Sequence, residues 1–360
     1  MTSNTQSIGI VGAGIMGRLL ALELKWQGHT VTLFDRNDRD GRGSCSWTGA
    51  GMIAPYCELE AAERMITELG VYSAQRWPKL IKKFAEPVFY HSRGSLVVAH
   101  PNDRNELERL RRRVIDNAPR PDIMEEVDGA RLGELEPELA GRFPQGLFFP
   151  FEQHMANRDL LRAMGKTLET EGVKFVTGFT TQTISSGEIS DGHSTHTFDR
   201  VIDCRGMGAK SDLPELRGVR GELFYLHAPE VNLSRPVRLM HPRYSIYIVP
   251  RPNNEYVVGA TAIESDDDRN VTVRSSLELL SAAYTVHTGF AEARVKEASV
   301  ACRPAFPDNH PRIHTADGLI RVNGLYRHGF LIAPALSEFI ASYIQTGAIP
   351  EKGKTLFREA

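Results

Sequence analysis

A glycine-rich segment near the start of the chain constrains the fold more than any other stretch. Residues 7–17 read Ser-Ile-Gly-Ile-Val-Gly-Ala-Gly-Ile-Met-Gly, which places a Gly-x-Gly-x-x-Gly pattern (Gly12, Gly14 and Gly17) directly after a short apolar run. Gly12 permits a tight turn, Gly14 lets the backbone approach a pyrophosphate, and Gly17 lets a helix pack close to the sheet. The segment, called the fingerprint below, therefore predicts the first turn of a dinucleotide-binding unit.

The residues that follow complete this unit. Arg18–Gln27 has a helical pattern, and a second apolar run, Thr30–Phe34, ends at Asp35. The start of the helix offers N–H groups and the positive end of its dipole to the phosphates, and Asp35 can accept hydrogen bonds from a ribose. The pattern does not distinguish NAD from FAD, and that choice decides the chemistry.

Composition excludes several classes of protein. The chain has 360 residues, of which 41% are hydrophobic and 24% charged, a balance typical of a globular protein of more than one domain. A net charge of −2 gives no reason to expect nucleic acid as a partner. The four cysteines and 12 histidines lack ligand spacing, so we expect no metal and a reducing compartment. No apolar run is long enough to span a bilayer, so we expect a cytoplasmic protein, and the sequence leaves its oligomeric state open.

The order of helical and strand patterns indicates an interrupted α/β fold. We predict a Rossmann-like FAD-binding domain interleaved with an α+β substrate domain built on a mixed or antiparallel sheet. The predicted FAD-binding domain comprises residues 1–85, 146–215 and 300–360, and the substrate domain comprises residues 86–145 and 216–299. A simple hydroxy-acid dehydrogenase would complete its nucleotide domain in one block, so the interruption favours FAD over NAD.

Three local predictions concern segments far from the fingerprint. Ser245–Pro250 and Glu255–Thr261 flank Arg-Pro-Asn-Asn and should form a hairpin, because this tetrapeptide is a turn signal. Asn157 is a good N-cap residue for a helix that runs to Glu171. Phe330–Thr346 should form a final helix.

Four segments together resemble the flavoprotein family of glycine oxidase, D-amino-acid oxidase and sarcosine oxidase, and most of all the bacterial glycine oxidases of thiamine biosynthesis. The first is the fingerprint with Asp35, and the second is the small-residue loop Ser-Trp-Thr-Gly-Ala-Gly-Met-Ile-Ala-Pro at residues 46–55. The third is Ser-Ile-Tyr-Ile-Val-Pro-Arg at 245–251 with Tyr-Val-Val-Gly-Ala-Thr at 256–261. The fourth is Cys-Arg-Pro-Ala at 302–305, followed by Gly-Leu-Tyr-Arg-His-Gly-Phe-Leu-Ile-Ala-Pro at 324–334. The resemblance covers nearly the whole chain.

The resemblance implies FAD as the cofactor and a role for each matching residue. Arg303 would pair with the substrate carboxylate, and the Tyr247 hydroxyl would assist. A backbone carbonyl in the loop of Arg327 and His328 would accept a hydrogen bond from the substrate amine. The residues implied to contact FAD are Gly12, Gly14, Ile15, Met16, Gly17, Asp35, Arg36, Cys45, Ser46, Thr48, Ala50, Gly51, Met52, Val176, Cys204, Gly206, Arg303, His328, Gly329, Phe330, Leu331 and Ile332. The last four would open the final helix, with N–H groups facing the flavin where negative charge develops on reduction.

The reaction implied is the oxidation of a small amino acid or amine of the glycine, sarcosine or D-amino acid type. Hydride would pass from the substrate Cα to flavin N5, and O2 would then be reduced to H2O2. Two alternatives stay open. One is a maturation flavoprotein that oxidises Cys and Trp side chains of a partner quinoprotein precursor, in tryptophylquinone biogenesis. The other is an NAD(P)-dependent dehydrogenase, because Gly-Ala-Gly-Ile-Met-Gly also resembles the hydroxyisobutyrate type.

Cys302 raises a separate question about how the flavin is attached. It precedes Arg303, and sarcosine oxidases carry a flavin-linking cysteine near this point. A covalent cysteinyl flavin is therefore an alternative to non-covalent binding.

The fingerprint assignment predicts the behaviour of Gly14→Val. A branched side chain at this turn would occupy the space that the pyrophosphate needs, so the variant should purify without flavin. Visible absorbance of the purified protein measures this, and a normal FAD content would contradict the assignment.

Overall fold

The computed structural model describes residues 5–60, 64–118, 120–243 and 245–359. Residues 1–4, 61–63 and 360 of the predicted FAD-binding segments lie outside the described residues, as do residues 119 and 244 of the predicted substrate domain. The α-helices of the described part are α1 (Ile15–Trp26), α2 (Cys45–Thr48), α3 (Arg64–Ile81), α4 (Arg104–Asn117), α5 (Gly129–Leu135), α6 (Asn157–Thr170), α7 (Val273–Val286) and α8 (Gly329–Thr346).

Most of the strands build two large sheets. The strands are β1 (Ser7–Val11), β2 (Thr30–Phe34), β3 (Met52–Ile53), β4 (Tyr90–His91), β5 (Ser95–Ala99), β6 (Glu125–Asp128), β7 (Gln145–Phe149), β8 (Gln153–Met155), β9 (Lys174–Val176), β10 (Thr183–Ser185), β11 (Glu188–Ser190), β12 (Thr195–Thr197), β13 (Arg200–Asp203), β14 (Arg217–His227), β15 (Val237–Met240), β16 (Ser245–Pro250), β17 (Glu255–Gly259), β18 (Ile263–Glu264), β19 (Arg294–Ala305), β20 (Arg312–Ala316), β21 (Leu319–Asn323) and β22 (Phe357–Glu359).

The first large sheet has seven strands in the order β22-β20-β21-β13-β1-β2-β9. The five strands from β21 to β9 run parallel to one another. From β1 the chain adds β2 and then β9 on one side and later returns to add β13 on the other side, so the strand order reverses between β1 and β13. Ligands of open α/β sheets bind beyond the carboxyl ends of the strands at such a point. Gly12, Asp35 and Cys204 follow the ends of β1, β2 and β13, so the fold brings them to this edge.

The second large sheet has nine strands in the order β18-β14-β17-β16-β15-β5-β7-β6, with β19 also paired to β14. All of its pairs are antiparallel except β5 with β15. Two small sheets, β10-β11-β12 and β3-β8-β4, complete the strand structure. The mixed sheet beside a Rossmann-like sheet confirms the predicted fold class.

A hydrophobic core holds helices α1, α3 and α8 together. Helix α1 packs against α8, and α8 also packs against α3. Leu19, Leu336 and Trp77 are fully buried members of this core. The Trp77 indole N–H also donates to the Phe330 carbonyl (2.8 Å), which holds the first turn of α8 in place.

The local predictions have different outcomes. The hairpin is confirmed, because β16 and β17 pair in antiparallel fashion, and the final helix is confirmed as α8. The cap prediction for Asn157 is wrong: Ala156 is the N-cap residue of α6, and the Asn157 side chain bonds the backbone of residues 46 and 47 instead.

The predicted division into domains remains a prediction, and the sheets refine it. Strand β7 begins at Gln145, and β19 runs to Ala305; both belong to the nine-stranded sheet. The predicted segment edges at 146 and 300 therefore fall inside strands of the sheet that we assign to the substrate domain.

A buried histidine should make the stability depend on pH. His154 on β8 has no exposed surface, and neither ring nitrogen has a hydrogen-bond partner among the residues that the structure describes. Burial, together with the nearby charge of Arg251, lowers the pKa of His154 to about 3. Below about pH 6.5 the unfolded chain would bind a proton that the native state excludes, so stability should fall as the pH drops.

At about pH 5 this loss should reach about 2 kcal/mol relative to about pH 7.5. In His154→Leu, the free energy of unfolding from urea titration should therefore change less between these pH values, by about 2 kcal/mol. His193→Gln, at an exposed loop position, is the control and should keep the wild-type pH dependence. An equal dependence in His154→Leu and the wild type would contradict this account.

Candidate active site

The fingerprint glycines make the close backbone approaches that the sequence predicts. Gly12 has a φ of +99°, and a Cβ there would lie 2.5 Å from the Cys204 carbonyl oxygen. A Cβ on Gly17 would lie 1.9 Å from the Gly12 carbonyl oxygen. Larger residues at these positions would therefore push α1 away from the sheet.

Asp35 holds this turn together from the end of β2. Its carboxylate accepts hydrogen bonds from the N–H groups of Ala13 (2.5 Å) and Asn37 (2.7 Å). Its own N–H donates to the Val176 carbonyl (2.9 Å), so the predicted contact residue Val176 lies beside it. Arg36, the next residue, is exposed to solvent.

Ser46 joins the fingerprint to the small-residue loop. Its hydroxyl oxygen accepts a hydrogen bond from the N–H of Ile15, the first residue of α1 (2.9 Å). A Cβ on Gly14 would lie 3.2 Å from the same oxygen. Met16, predicted to contact the cofactor, is buried in the hydrophobic core. The two segments that the sequence places more than 25 residues apart thus touch at one hydroxyl group.

A cleft opens beside this contact, between the start of α1, the small-residue loop, the start of α8 and one face of the nine-stranded sheet. It brings together most of the predicted site residues: Ile15, Cys45, Ser46, Thr48, Ala50, Gly51, Met52, Tyr247, Arg303, Arg327, His328, Gly329, Phe330 and Leu331. The other predicted residues lie around the fingerprint turn or in the core and do not line the cleft.

The sheet presents a row of side chains across neighbouring strands. Arg238 on β15 faces Tyr247 on β16, and Tyr247 faces Gly259 on β17, which in turn faces Leu223 on β14. Directly opposed residues of antiparallel strands project to the same face of a sheet. Arg238 lines the cleft, although the sequence analysis does not predict it.

The two predicted substrate residues each lie over a glycine. A Cβ on Gly221 would lie 2.4 Å from the Arg303 guanidinium, whose Nη1 donates to the Thr261 carbonyl (2.9 Å). A Cβ on Gly259 would lie 3.2 Å from the Tyr247 hydroxyl oxygen. Both glycines were missed, although a glycine inside a strand is itself a signal of close approach.

Helix α8 begins at the cleft. Gly329, Phe330 and Leu331 line the cleft, and the N-cap residue His328 makes no side-chain cap. Ile332 does not line the cleft: its N–H donates within the helix to the His328 carbonyl (2.9 Å) and its side chain is fully buried, so its contact with FAD stays a prediction. The positive end of the α8 dipole therefore faces the cleft through the first three residues of the helix.

The cysteines bear on how a flavin could be attached. Ala301 and Arg303 line the cleft, whereas Cys302 between them points to the other side of the strand, with Sγ near the Ser265 (3.5 Å) and Asp267 (3.4 Å) carbonyls. Cys45 does line the cleft, but its thiol donates to the Cys302 carbonyl (2.9 Å), and burial raises its pKa to about 11. The geometry therefore disfavours a cysteinyl link at Cys302.

Cys204 and Gly206 lie on the opposite wall of the fingerprint turn. The Cys204 N–H donates to the Val11 carbonyl (2.7 Å), and burial raises the pKa of its thiol well above the usual range. Gly206 has a φ of +57°, and its carbonyl accepts from the Asn323 side chain (2.9 Å). The hydrogen bonds of Cys204 and Gly206 therefore fix the backbone that lies against the fingerprint turn.

The small-residue loop is supported from behind by buried polar side chains. Arg251 donates to the carbonyls of Ala50 (2.6 Å) and Pro250 (3.0 Å). Asn157 donates to the carbonyls of Ser46 (3.0 Å) and Trp47 (2.8 Å). The sequence alone predicts neither residue as part of the site.

These features define a dinucleotide-binding enzyme with a positively charged, partly apolar cleft beside the nucleotide turn. The profile of the DAO family, described as FAD dependent oxidoreductase, matches residues 7–343, and the chain belongs to this family. The cofactor is therefore FAD, as the sequence predicts, and the NAD(P)-dependent alternative is wrong.

Relatives and solved structures agree with this assignment. A Rhizobium etli protein that bears the name thiamine biosynthesis oxidoreductase ThiO is 44% identical over 93% of this chain and 95% of its own length. The crystal structure of iminodiacetate oxidase from Chelativorans sp. BNC1 has a TM-score of 0.84 and 25% identity, covering 98% of this chain and 99% of that one. Glycine oxidase from Geobacillus kaustophilus shares the fold, with a TM-score of 0.84 at 21% identity and 99% of both chains covered.

The residues present fit this cofactor. The glycine turn leaves no room for side chains on its inner side, Asp35 lies at the end of β2, and α8 opens onto the cleft without a side-chain cap.

The described residues include no group of three or more His, Cys, Asp and Glu side chains placed to hold a metal ion. Among the described helices, none is both long enough and apolar enough to cross a membrane.

The packing of Arg303 on Gly221 leads to a prediction. In Gly221→Ala, the added methyl group should displace the guanidinium and weaken the binding of a small carboxylate such as acetate by roughly tenfold, about 1.4 kcal/mol. The perturbation of the flavin absorbance on titration measures this affinity.

Gly208→Ala is the control, because a Cβ there would come no closer than 3.3 Å to the Arg205 side chain, away from the cleft. It should bind acetate as the wild type does. Wild-type affinity in Gly221→Ala would show that the carboxylate does not depend on the position of Arg303.

Proposed function

We propose that this protein is an oxidase of glycine and similarly small amino acids or amines, with O2 as the electron acceptor. The observation that carries the proposal is that Arg303 and Tyr247, on the nine-stranded sheet, line the same cleft as the start of α8. The relationship to ThiO and glycine oxidase proteins supports an action on amino groups.

Arg303 is suited to bind a substrate carboxylate. Its guanidinium is a planar fork that can pair with both carboxylate oxygens, and the bond from Nη1 to the Thr261 carbonyl fixes the orientation of the fork. Tyr247 can donate its hydroxyl to the same carboxylate. Together they would orient the substrate Cα toward the small-residue loop and the start of α8.

The loop before α8 is suited to bind the substrate amine. Tyr326 has a φ of +50°, which turns the chain sharply before Arg327 and brings both residues to the cleft. The His328 carbonyl already accepts from the Ile332 N–H, so we assign the amine to the Arg327 carbonyl. A neutral amine bound there would be ready to lose hydride from its Cα, and no side-chain base is required.

The chain would hold FAD along the line from the fingerprint to α8. The fingerprint turn and Asp35 would bind the ADP half, and Thr48, Ala50, Gly51 and Met52 would support the flavin ring. When bound, FAD supplies a hydride acceptor at N5 and returns the electrons to O2. The dipole of α8 would stabilise the negative charge of the reduced ring.

The alternative of a maturation enzyme for a quinoprotein precursor gains no support from these relatives. We place the protein in the cytoplasm as part of the proposal, and its oligomeric state stays open.

Iminodiacetate is a useful competing substrate to test, because it is the substrate named for one protein of the same fold.

The experiment that tests the proposal is a peroxide assay on the purified yellow protein. Glycine, sarcosine, D-alanine, iminodiacetate and a quinoprotein precursor are supplied separately, with free NAD absent. Turnover of a small amino acid with one H2O2 formed for each amine consumed supports the proposal. Activity on the precursor alone would support the maturation alternative and overturn it.

Substitution of Arg303 gives a separate prediction. Arg303→Ala should raise the KM for glycine by roughly 100-fold, because a carboxylate bound without its charged partner loses about 3 kcal/mol. Steady-state peroxide formation measures the KM, and FAD content should stay normal. Arg274→Ala, at an exposed position of α7, is the control; an unchanged KM in Arg303→Ala would remove Arg303 from the site.

Tyr247→Phe should have a smaller effect. Loss of one hydroxyl donor to a carboxylate should raise the KM by roughly tenfold and leave the fold intact. Tyr284→Phe, on an α7 tyrosine that is 49% exposed, is the matched control. A KM for Tyr247→Phe equal to that of the control would show that the hydroxyl does not contact the substrate.

A further inference from the structure

Arg251 occupies an unusual position behind the small-residue loop. It is buried immediately after the end of β16, and its side chain reaches the carbonyl of Ala50, a residue that lines the cleft, across 201 positions of sequence. The same nitrogen lies 3.3 Å from the Asn157 side-chain oxygen. Because Asn157 in turn donates to the carbonyls of Ser46 and Trp47, one connected set of hydrogen bonds holds three carbonyls of the loop.

No carboxylate in the described part of the chain forms a direct ion pair with Arg251, and Asp159 acts on its charge only from a longer distance. Within the described part of the chain, its recorded acceptors are the two carbonyls of Ala50 and Pro250 and the amide oxygen of Asn157, all of them neutral. Burial lowers the pKa of Arg251 to about 10, so the guanidinium stays protonated near neutral pH. A buried charge acts over several ångströms because the protein interior screens it less than water does.

Arg158 is a natural comparison because it supports the same loop with a neutralised charge. It donates to the Trp47 carbonyl (3.3 Å) and lies over the Trp47 and Tyr225 rings. However, both of its terminal nitrogens bond the Glu297 carboxylate (2.8 and 2.7 Å). The two arginines therefore share a structural role, but an ion pair balances the positive charge of Arg158 and none balances that of Arg251.

We propose that Arg251 is a positioning residue that fixes the small-residue loop against the flavin ring and, through a positive charge that no direct ion pair balances, favours the reduced form of the bound flavin. The proposal rests on the ring placement in the proposed function. It does not depend on which amino acid is the substrate, and it assigns Arg251 no contact with substrate.

The two parts of the role can be separated by substitution. Arg251→Met removes the charge and the hydrogen bonds, whereas Arg251→Lys keeps the charge but cannot donate to three acceptors in the planar geometry of a guanidinium. Arg158→Met removes support for the loop together with a charge that Glu297 already balances. The flavin reduction potential by dye equilibration and the FAD dissociation constant of the apoprotein are measured for each variant.

Arg251→Met should bind FAD at least tenfold more weakly and should show a lower reduction potential than the wild type. Arg251→Lys should also bind FAD more weakly but keep the wild-type potential, and Arg158→Met should leave the potential unchanged. Equal potentials in Arg251→Met and the wild type, or an equal shift in Arg158→Met, would overturn the proposed effect of charge.

Two further results keep the test decisive. If Arg251→Met does not fold, as judged by circular dichroism of the apoprotein, Arg251→Lys decides: wild-type FAD affinity or a lowered potential in that variant overturns the proposal. None of these measurements uses an amino acid substrate. A wild-type protein that binds FAD but oxidises no amino acid would therefore contradict the proposed function and leave this inference to be judged on its own.

Discussion

The hydrogen bond from the Ile15 N–H to the Ser46 hydroxyl oxygen joins the nucleotide turn to the small-residue loop, and the rest of the site depends on that junction. Without it the fingerprint would be a binding turn with no defined surface beside it. With it, the loop extends from the start of α1 toward the nine-stranded sheet, and the cleft lies between them. The two sheets would thus contribute different functions: the edge of the seven-stranded sheet would bind the nucleotide, and the nine-stranded sheet would supply the side chains that meet a substrate.

Close backbone approach is the recurring device of this site. Gly12 and Gly17 let α1 approach the sheet, and Gly221 and Gly259 let Arg303 and Tyr247 lie flat against their neighbouring strands. A loop built only of small residues has few side-chain contacts to fix its backbone. The buried side chains of Arg251 and Asn157 compensate by bonding the loop carbonyls, so that a flexible segment is held in one shape.

Local patterns in the sequence were sufficient to predict the nucleotide turn, because residues 7–35 form one continuous βαβ unit. The hairpin of β16 and β17 was predictable because its turn signal lies between two adjacent strands. Tyr247 and Arg303 were identified only through resemblance, since one tyrosine in a strand and one arginine carry no chemistry by themselves. Asn157 shows the limit: its residue type indicated a helix cap, whereas a contact with Trp47, 110 positions away, determines its role. Pairings of this length leave no periodic signal in a single sequence.

We propose that the cleft binds a small amino acid by its carboxylate and oxidises it. Anaerobic mixing of the wild-type holoprotein with glycine, followed by flavin absorbance, tests it most directly. The oxidised flavin spectrum should bleach, at a rate that saturates as the glycine concentration is increased and that falls when acetate competes. Persistence of the oxidised spectrum with glycine, sarcosine and D-alanine alike would contradict it.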